Sequence, residues 1–379
     1  LKTIEVVMGT RPEAIKLASL CKILASRKDE IAFKVISTAQ HRKMLDDVLR
    51  IFNIHPNHNL MIMKENQSLF DISVNALDRL KKVFEHDNPD IVVVQGDTTT
   101  AFVASLAAFY QRREIAHVEA GLRTYLKFAP YPEEINRHLI SVLADYHFAP
   151  TERAKINLLQ EAVPPEKIHV VGNTVIDALF DTVKTIRENS VLRERLKGQL
   201  PYPAEGRRLV LVTAHRRESF GKGLRSICEA ILTLVKRNPD IEIVYPVHLN
   251  PVVKETVDSI LSGIDRIHLL EPLDYLSFVW LMKRSSLILT DSGGIQEEAP
   301  SLGKIVLVMR EATERPEAID AGCARLVGVE FDKIIKEVEI ALKEESKEKI
   351  PSSSRNLFGD GHSAERIADV LIDSQSSSK

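Results

Sequence analysis

The chain has 379 residues, 44% of them hydrophobic and 27% charged, with a formal net charge of -2. That length exceeds one ordinary core and points to two domains. The near-balanced charge excludes a global attraction for nucleic acid or an anionic membrane, and no apolar run approaches the roughly 18 residues of a membrane span.

The hydrophobic pattern alternates strand and helix. Residues 4–8 predict a strand that ends in Gly-Thr-Arg-Pro-Glu at 9–13. Pro12 suits a helix's first turn, where its missing N–H is harmless, and Ile15, Leu17, Leu20, Ile23 and Leu24 then give a helical apolar face. Further strands are expected at 33–37, 91–95, 115–119 and 168–171. The runs at 91–95 and 168–171 read as buried on both faces, as in a parallel sheet. Amphipathic stretches near 68–86, 98–112 and 133–144 fit the crossover helices. Residues 174–200 read as a charged helix and linker, closed by Leu-Pro-Tyr-Pro at 200–203. The pattern then restarts, with strands expected at 209–214, 241–246, 267–270, 286–290 and 305–309. A last helix falls at 363–372, before a Ser-rich end at 374–379 that has the composition of disordered chain. The expected fold is α/β: two doubly wound, Rossmann-like domains, 1–172 and 173–360. By analogy with two-domain folds of this kind, the tail 361–379 is expected to pack back on the first domain.

Open α/β sheets bind ligands at the carboxyl ends of their strands, so polar residues there point to function. The first strand's glycine turn runs into a helix N-terminus, which offers N–H groups and a favourable dipole to an anion. Arg11 and Lys16 could add charge; an ordinary turn with a surface arginine is the alternative. The strand at 91–95 ends in Gly96-Asp97, where Asp97 could equally cap the next helix. The following strand ends in His117-Val118-Glu119. Period 2 puts His117 and Glu119 on one side, and a carboxylate at a buried strand end is costly unless paired or functional. Glu133 and Glu134 fall in a helix's first turn, where acids are common for dipole reasons alone. Three carboxylates at neighbouring strand ends, Asp97, Glu119 and Glu133, fit a shared acid/base site better than three coincidences.

In the second domain, the first strand ends in His215-Arg216-Arg217, an imidazole and two guanidiniums suited to a diphosphate. Another polar strand end carries His248. The strongest local signal is Asp-Ser-Gly-Gly-Ile-Gln-Glu-Glu at 291–298. Gly293 and Gly294 would let the backbone approach a phosphate, Ser292 adds a donor, and Glu298 could accept ribose hydroxyls. Thr-Glu-Arg-Pro-Glu at 313–317 is a further charged loop containing Arg315. Cys21, Cys228 and Cys323 are scattered and odd in number. They read as reduced thiols of a cytoplasmic protein, and the first residues show no signal-like segment. The sequence shows neither a cluster with metal-ligand spacing nor a Gly-x-Gly-x-x-Gly, so neither a metal nor NAD is expected.

These strings occur together with Ala-Gln-His-Arg at 39–42, Gly-Asp-Thr-Thr-Thr at 96–100, Glu-Ala-Gly-Leu-Arg-Thr at 119–124, Pro-Glu-Glu-Ile-Asn-Arg at 132–137, Gly-Asn-Thr-Val-Ile-Asp-Ala-Leu at 172–179 and Thr-Ala-His-Arg-Arg-Glu at 213–218. In this order, from residue 4 to about 372, they resemble the non-hydrolysing UDP-N-acetylglucosamine 2-epimerase family. The resemblance implies a fold of the GT-B glycosyltransferase type with UDP in the interdomain cleft. By motif it implies Asp97, Glu119, Glu133 and His215 as catalytic residues. It implies Arg11, Lys16, His215, Ser292, Gly293, Gly294, Glu298 and Arg315 as UDP-sugar contacts. Some members bind a second, activating UDP-N-acetylglucosamine; Gln40, Gln67, Glu134, Arg216 and His248 could serve that site here. Lys43 and Asn66 depart from the residues common there. A homodimer, and a product used in cell-surface polysaccharide synthesis, are further implications.

The chemistry accounts for such a set. The C2 proton of the sugar is not acidic, because no carbonyl sits beside it. Loss of UDP from C1 as that proton leaves solves the problem, and gives 2-acetamidoglucal. UDP then adds back with a proton delivered to the other face, which requires more than one placed acid/base group. Two alternatives remain: a hydrolysing 2-epimerase, which would use the same elimination and release N-acetylmannosamine, and a GT-B glycosyltransferase, which would not need this carboxylate trio.

Overall fold

The computed structural model describes residues 1–38, 42–62, 67–201, 203–344 and 356–374. Gln40 and Asn66, and the Ser-rich end past residue 374, lie outside the described residues, as does the side chain of Lys43. The chain divides into two compact units, Leu1–Phe180 with Phe358–Lys379, and Asp181–Leu357. The first unit runs on past residue 172 because the next residues bond to the returning C-terminal segment. Asn173 N donates to Phe358 O (2.6 Å), and Asp177 Oδ1 accepts from Ala364 N (2.8 Å).

The first unit holds one parallel sheet of β1 (Lys2–Met8), β2 (Ile31–Ser37), β3 (His58–Asn59), β4 (Ile91–Gln95), β5 (Glu114–Val118), β6 (Tyr146–Ala149) and β7 (Ile168–Val170). Its order is β3-β2-β1-β4-β5-β6-β7. The central strand β4 is buried throughout, which is why it reads as an unbroken apolar run. β7 corrects the same expectation for 168–171. It is an edge strand with only Ile168 fully buried, because no strand covers its far side. β3 and β6 went unread, being too short to show a period.

Helices Leu69–Asp87 and Thr99–Tyr110 cover one face, with Ile72, Ala76, Leu80 and Phe84 packed against Val92, Val94 and Ala104. Each starts on a side-chain cap, Ser68 and Thr98, whose hydroxyls accept the N–H groups of Asp71 and Ala101. The C-terminal helix Ser363–Asp373 packs on helix Arg11–Ser26. Arg27 pairs with Asp369 at 2.8 Å, and Lys2 Nζ donates to Leu371 O at 3.0 Å.

The second unit repeats the scheme with β8 (Arg208–Thr213), β9 (Ile241–Pro246), β10 (Ile267–Leu270), β11 (Leu287–Thr290), β12 (Ile305–Val308) and β13 (Ala324–Leu326). The order is β10-β9-β8-β11-β12-β13, again parallel. The stretch 174–200 is two helices, Thr174–Glu188 and Ser190–Gln199; Asn189 ends one and caps the next by accepting from Leu192 N at 2.9 Å. In each sheet the chain order reverses beside the first strand, between β1 and β4 and between β8 and β11. Doubly wound sheets leave a crevice at such a reversal. Among the described residues no helix is long and apolar enough to cross a membrane.

Candidate active site

In the first unit the reversal places the loop after β1 beside the loops after β4 and β5. Gly9 is required by packing: a Cβ there would lie 2.3 Å from Thr38 Oγ1 and 2.6 Å from Thr100 Oγ1. The buried Glu13 ties these loops together. Its Oε2 accepts from Gly9 N (3.0 Å) and Thr10 N (2.7 Å), and its Oε1 accepts from Thr98 Oγ1 (2.6 Å). Burial raises Glu13's pKa, and these donors counteract it. Arg11 opens the following helix at N1, half-buried.

Three carboxylates gather here. Glu119 stands one residue beyond β5, in the left-handed region at φ 65°, so the strand alternation expected through it is broken. Its carboxylate is paired with Lys16 and receives Gln95 Nε2, with Asn173 Nδ2 at 3.3 Å. Asp97 Oδ2 accepts from Arg137 Nη2 at 2.5 Å, and Asn136 Nδ2 donates to the Asp97 carbonyl at 2.9 Å. Burial pushes Asp97 above the usual carboxylate range; Arg137 and Lys16 oppose this, while Glu119 and Glu133 add to it. Glu133 opens helix Glu133–Leu143, and its buried Oε2 has no hydrogen-bond partner.

Two nearby residues hold the frame. His117 is buried beneath this loop and donates Nε2–H to Gly96 O (2.7 Å); burial drives its pKa down to about 3, so it stays neutral. Glu134 is spent on the backbone, accepting from Thr124 N (3.0 Å) and Tyr125 N (2.7 Å) with Arg137 Nη1 at 3.3 Å. Burial would raise Glu134, but those donors and Arg137 outweigh it and lower its pKa.

In the second unit, the loop after β8 meets the loop after β11. Asp291 is fully buried, and its Oδ2 accepts from both His215 N and Arg216 N at 2.7 Å. Its other oxygen lies 3.2 Å from His215 Nδ1. The His215 ring stacks on His248, centroids 5.4 Å apart and planes 14° apart. Ser292 caps helix Gly293–Ser301 without a side-chain bond to it, and its N–H donates to Thr290 Oγ1 at 3.0 Å. A Cβ on Gly293 would lie 3.9 Å from Arg216 Nη2, and one on Gly294 3.9 Å from Glu298 Oε2. Both are ordinary contacts, so the protein's own packing does not demand glycine at either place. Tyr275 OH donates to Glu298 Oε1 at 2.6 Å, and Arg315 pairs with the buried Glu297 next to it.

The structure thus joins Lys16, Asp97, Glu119 and Glu133 in one unit. It joins His215, Arg216, His248, Ser292, Gly293, Gly294 and Glu298 in the other, with Arg315 on Glu297. Gln67 precedes helix Leu69–Asp87. Sequence reasoning assigned no role to Arg137, Gln95, Asn173 or Asp291. Arg137 was readable, four residues after Glu133 on one helix face; the others pair across distant segments.

Fold and residues define a doubly wound α/β protein with a carboxylate cluster in one unit and a glycine-rich helix start in the other. The family model described as UDP-N-acetylglucosamine 2-epimerase matches residues 24–372, and the chain belongs to that family. It is 51% identical to the UDP-N-acetylglucosamine 2-epimerase of Yersinia pestis over 97% of this chain and 98% of that one. The crystal structure of UDP-GlcNAc 2-epimerase from Neisseria meningitidis bound to UDP-GlcNAc superposes with a TM-score of 0.90 at 46% identity, covering 99% of this chain and 100% of that one. The enzyme from Methanocaldococcus jannaschii in complex with UDP-GlcNAc and UDP gives 0.82 at 36% identity, covering 98% and 100%.

Proposed function

We propose that this protein interconverts UDP-N-acetylglucosamine and UDP-N-acetylmannosamine without hydrolysis. The observation that carries this reading is the cluster of Asp97, Glu119 and Glu133 around Lys16 and Arg137, in a chain of this family. In the forward step the C2–H proton passes to a carboxylate. Its electron pair forms the C1–C2 double bond, and the C1–O bond breaks with UDP taking its electrons. In the return step UDP oxygen attacks C1 and the double-bond electrons take a proton at C2 on the opposite face. No atom is gained or lost.

The three carboxylates share the proton transfers. Lys16 and Arg137 keep the local charge balanced while protons move. Arg11, His215, Ser292 and the N–H groups at Gly293 and Gly294 stabilise the diphosphate as it gains charge. Glu298, held by Tyr275, receives the ribose hydroxyls, and Arg315 completes the nucleotide contacts.

The finer parts of this reading are a cytoplasmic homodimer and a second, activating UDP-N-acetylglucosamine. Exposed Phe70, Val74, Phe109 and Tyr110 on helices Leu69–Asp87 and Thr99–Tyr110 support the dimer. The exposed His248 and the partly exposed Arg216 support the activator, for which a lag from the mannosamine epimer alone is the expected sign.

Incubation with UDP-N-acetylglucosamine and EDTA in deuterated water, followed by proton NMR, tests the main claim. A UDP-linked manno product carrying deuterium at C2 is expected. Free N-acetylmannosamine would replace this reading by the hydrolysing one, and an untouched substrate would remove the activity.

A further inference from the structure

We propose that Asp291 is a positioning residue for His215, fixing its Nδ1 as the protonated nitrogen and presenting Nε2 to the diphosphate. This rests on the reading of His215 as a diphosphate contact.

A carboxylate with no exposed surface is expensive to bury unless it is bonded. Asp291 meets this cost on one side only. Its Oδ2 takes the N–H groups of His215 and Arg216, both at 2.7 Å, which pins the turn that carries the imidazole. Its Oδ1 is buried, has no hydrogen-bond partner of ordinary geometry, and lies 3.2 Å from His215 Nδ1. The atom facing that oxygen must carry a proton, since a bare ring nitrogen there would set two lone pairs against each other. The ring's other nitrogen is then the one that gains and loses a proton.

The surrounding charges fit this division. Asp291 stays ionised: burial would raise it, but the His215 contact and the two backbone donors lower it. His248 stacks on the ring and takes Asn250 N–H on its own Nδ1 at 3.1 Å, so that nitrogen is an acceptor and the ring is neutral. Partial burial and the neighbouring His215 lower the pKa of His248, which keeps that ring neutral on the stack. Arg216 sits 3.8 Å from Glu314. The Tyr245 hydroxyl donates to the Ala214 carbonyl at 2.9 Å. Asp291 is therefore the anion placed against the imidazole, and it decides which ring nitrogen is left to face a diphosphate.

The test has two arms. In the wild-type apoprotein, ¹⁵N NMR of the His215 ring should show Nδ1 protonated throughout the titration and Nε2 titrating; a titrating Nδ1 overturns the proposal. In Asp291→Asn, UDP binding by calorimetry should weaken about tenfold near pH 8 and stay within about twofold of wild type near pH 6. An equal loss at both pH values would reduce Asp291 to a structural brace. The NMR arm remains readable if the variant does not fold. If wild-type protein binds no UDP while Nδ1 stays protonated, the diphosphate reading falls and the positioning of His215 stands.

Discussion

Glu119 is the one carboxylate of the cluster held in the left-handed region, at φ 65°, a backbone state that costs a side-chain-bearing residue on the order of 1 kcal/mol or more. Lys16, Gln95 and Asn173 converge on it and hold it there. Asp97 is held differently, by one arginine against strong burial. Asp97→Asn is expected to lower kcat about 100-fold or more while leaving the UDP dissociation constant within about threefold. Calorimetry with UDP beside initial rates distinguishes this from a general loss of the site, which would lower both together. The glycines make a second contrast. At Gly9 a methyl would strike two threonine hydroxyls, so Gly9→Ala should cost about 1–3 kcal/mol in urea unfolding. At Gly294 a methyl meets only the far end of Glu298. Gly294→Ala should leave the melting temperature unchanged and weaken UDP binding. A variant that melted lower but bound UDP normally would remove the phosphate role from Gly294.

At the scale of elements, the long periodic segments were legible and the short ones were not. β4 and β8 announce themselves as apolar runs, β1 and β9 as largely apolar runs broken by one glutamate, and the helices after them by their spacing. β13 spans Ala324–Leu326 and β3 only His58–Asn59, lengths at which two periods cannot be told apart. β7 misled for another reason. Its side chains suit either a buried or an edge position, and only the finished sheet order decides between them. The strand-end rule pointed to Asp97, Glu119, Glu133, His215 and the Ser292 loop, because the crevice follows from topology. It could not rank Asp291 above Asp97, since both read as the polar residue after a strand. What separates them is the partner: an arginine from a helix for one, a histidine turn for the other.

At the scale of the whole molecule, a buried acid away from the site sets a pH dependence of stability. Glu5 lies inside the first sheet with no exposed surface, and burial together with neighbouring Asp87 raises its pKa to about 8, against the small opposing pull of Lys34. Between its ordinary value and about 8 the folded protein holds a proton that the unfolded chain has lost. Stability from this group is therefore full at acid pH and falls as pH rises through that window. Glu5→Gln should flatten the fall, by roughly 2–4 °C in melting temperature between about pH 6 and about pH 9. Scanning calorimetry at both values checks it, and parallel curves for the two proteins would show that Glu5 does not carry the proton.

The return of the last helix to the first unit also orders events at the ribosome. The second unit is one unbroken stretch, Asp181–Leu357, whereas the first is made from both ends of the chain. A polypeptide emerges from its N-terminus at about 5–20 residues per second. The helix Ser363–Asp373, which Arg27 and Lys2 receive, appears only after the whole of the second unit. The unit that begins first thus closes only after its successor has been made, and helix Arg11–Ser26 must wait with one flank bare until then.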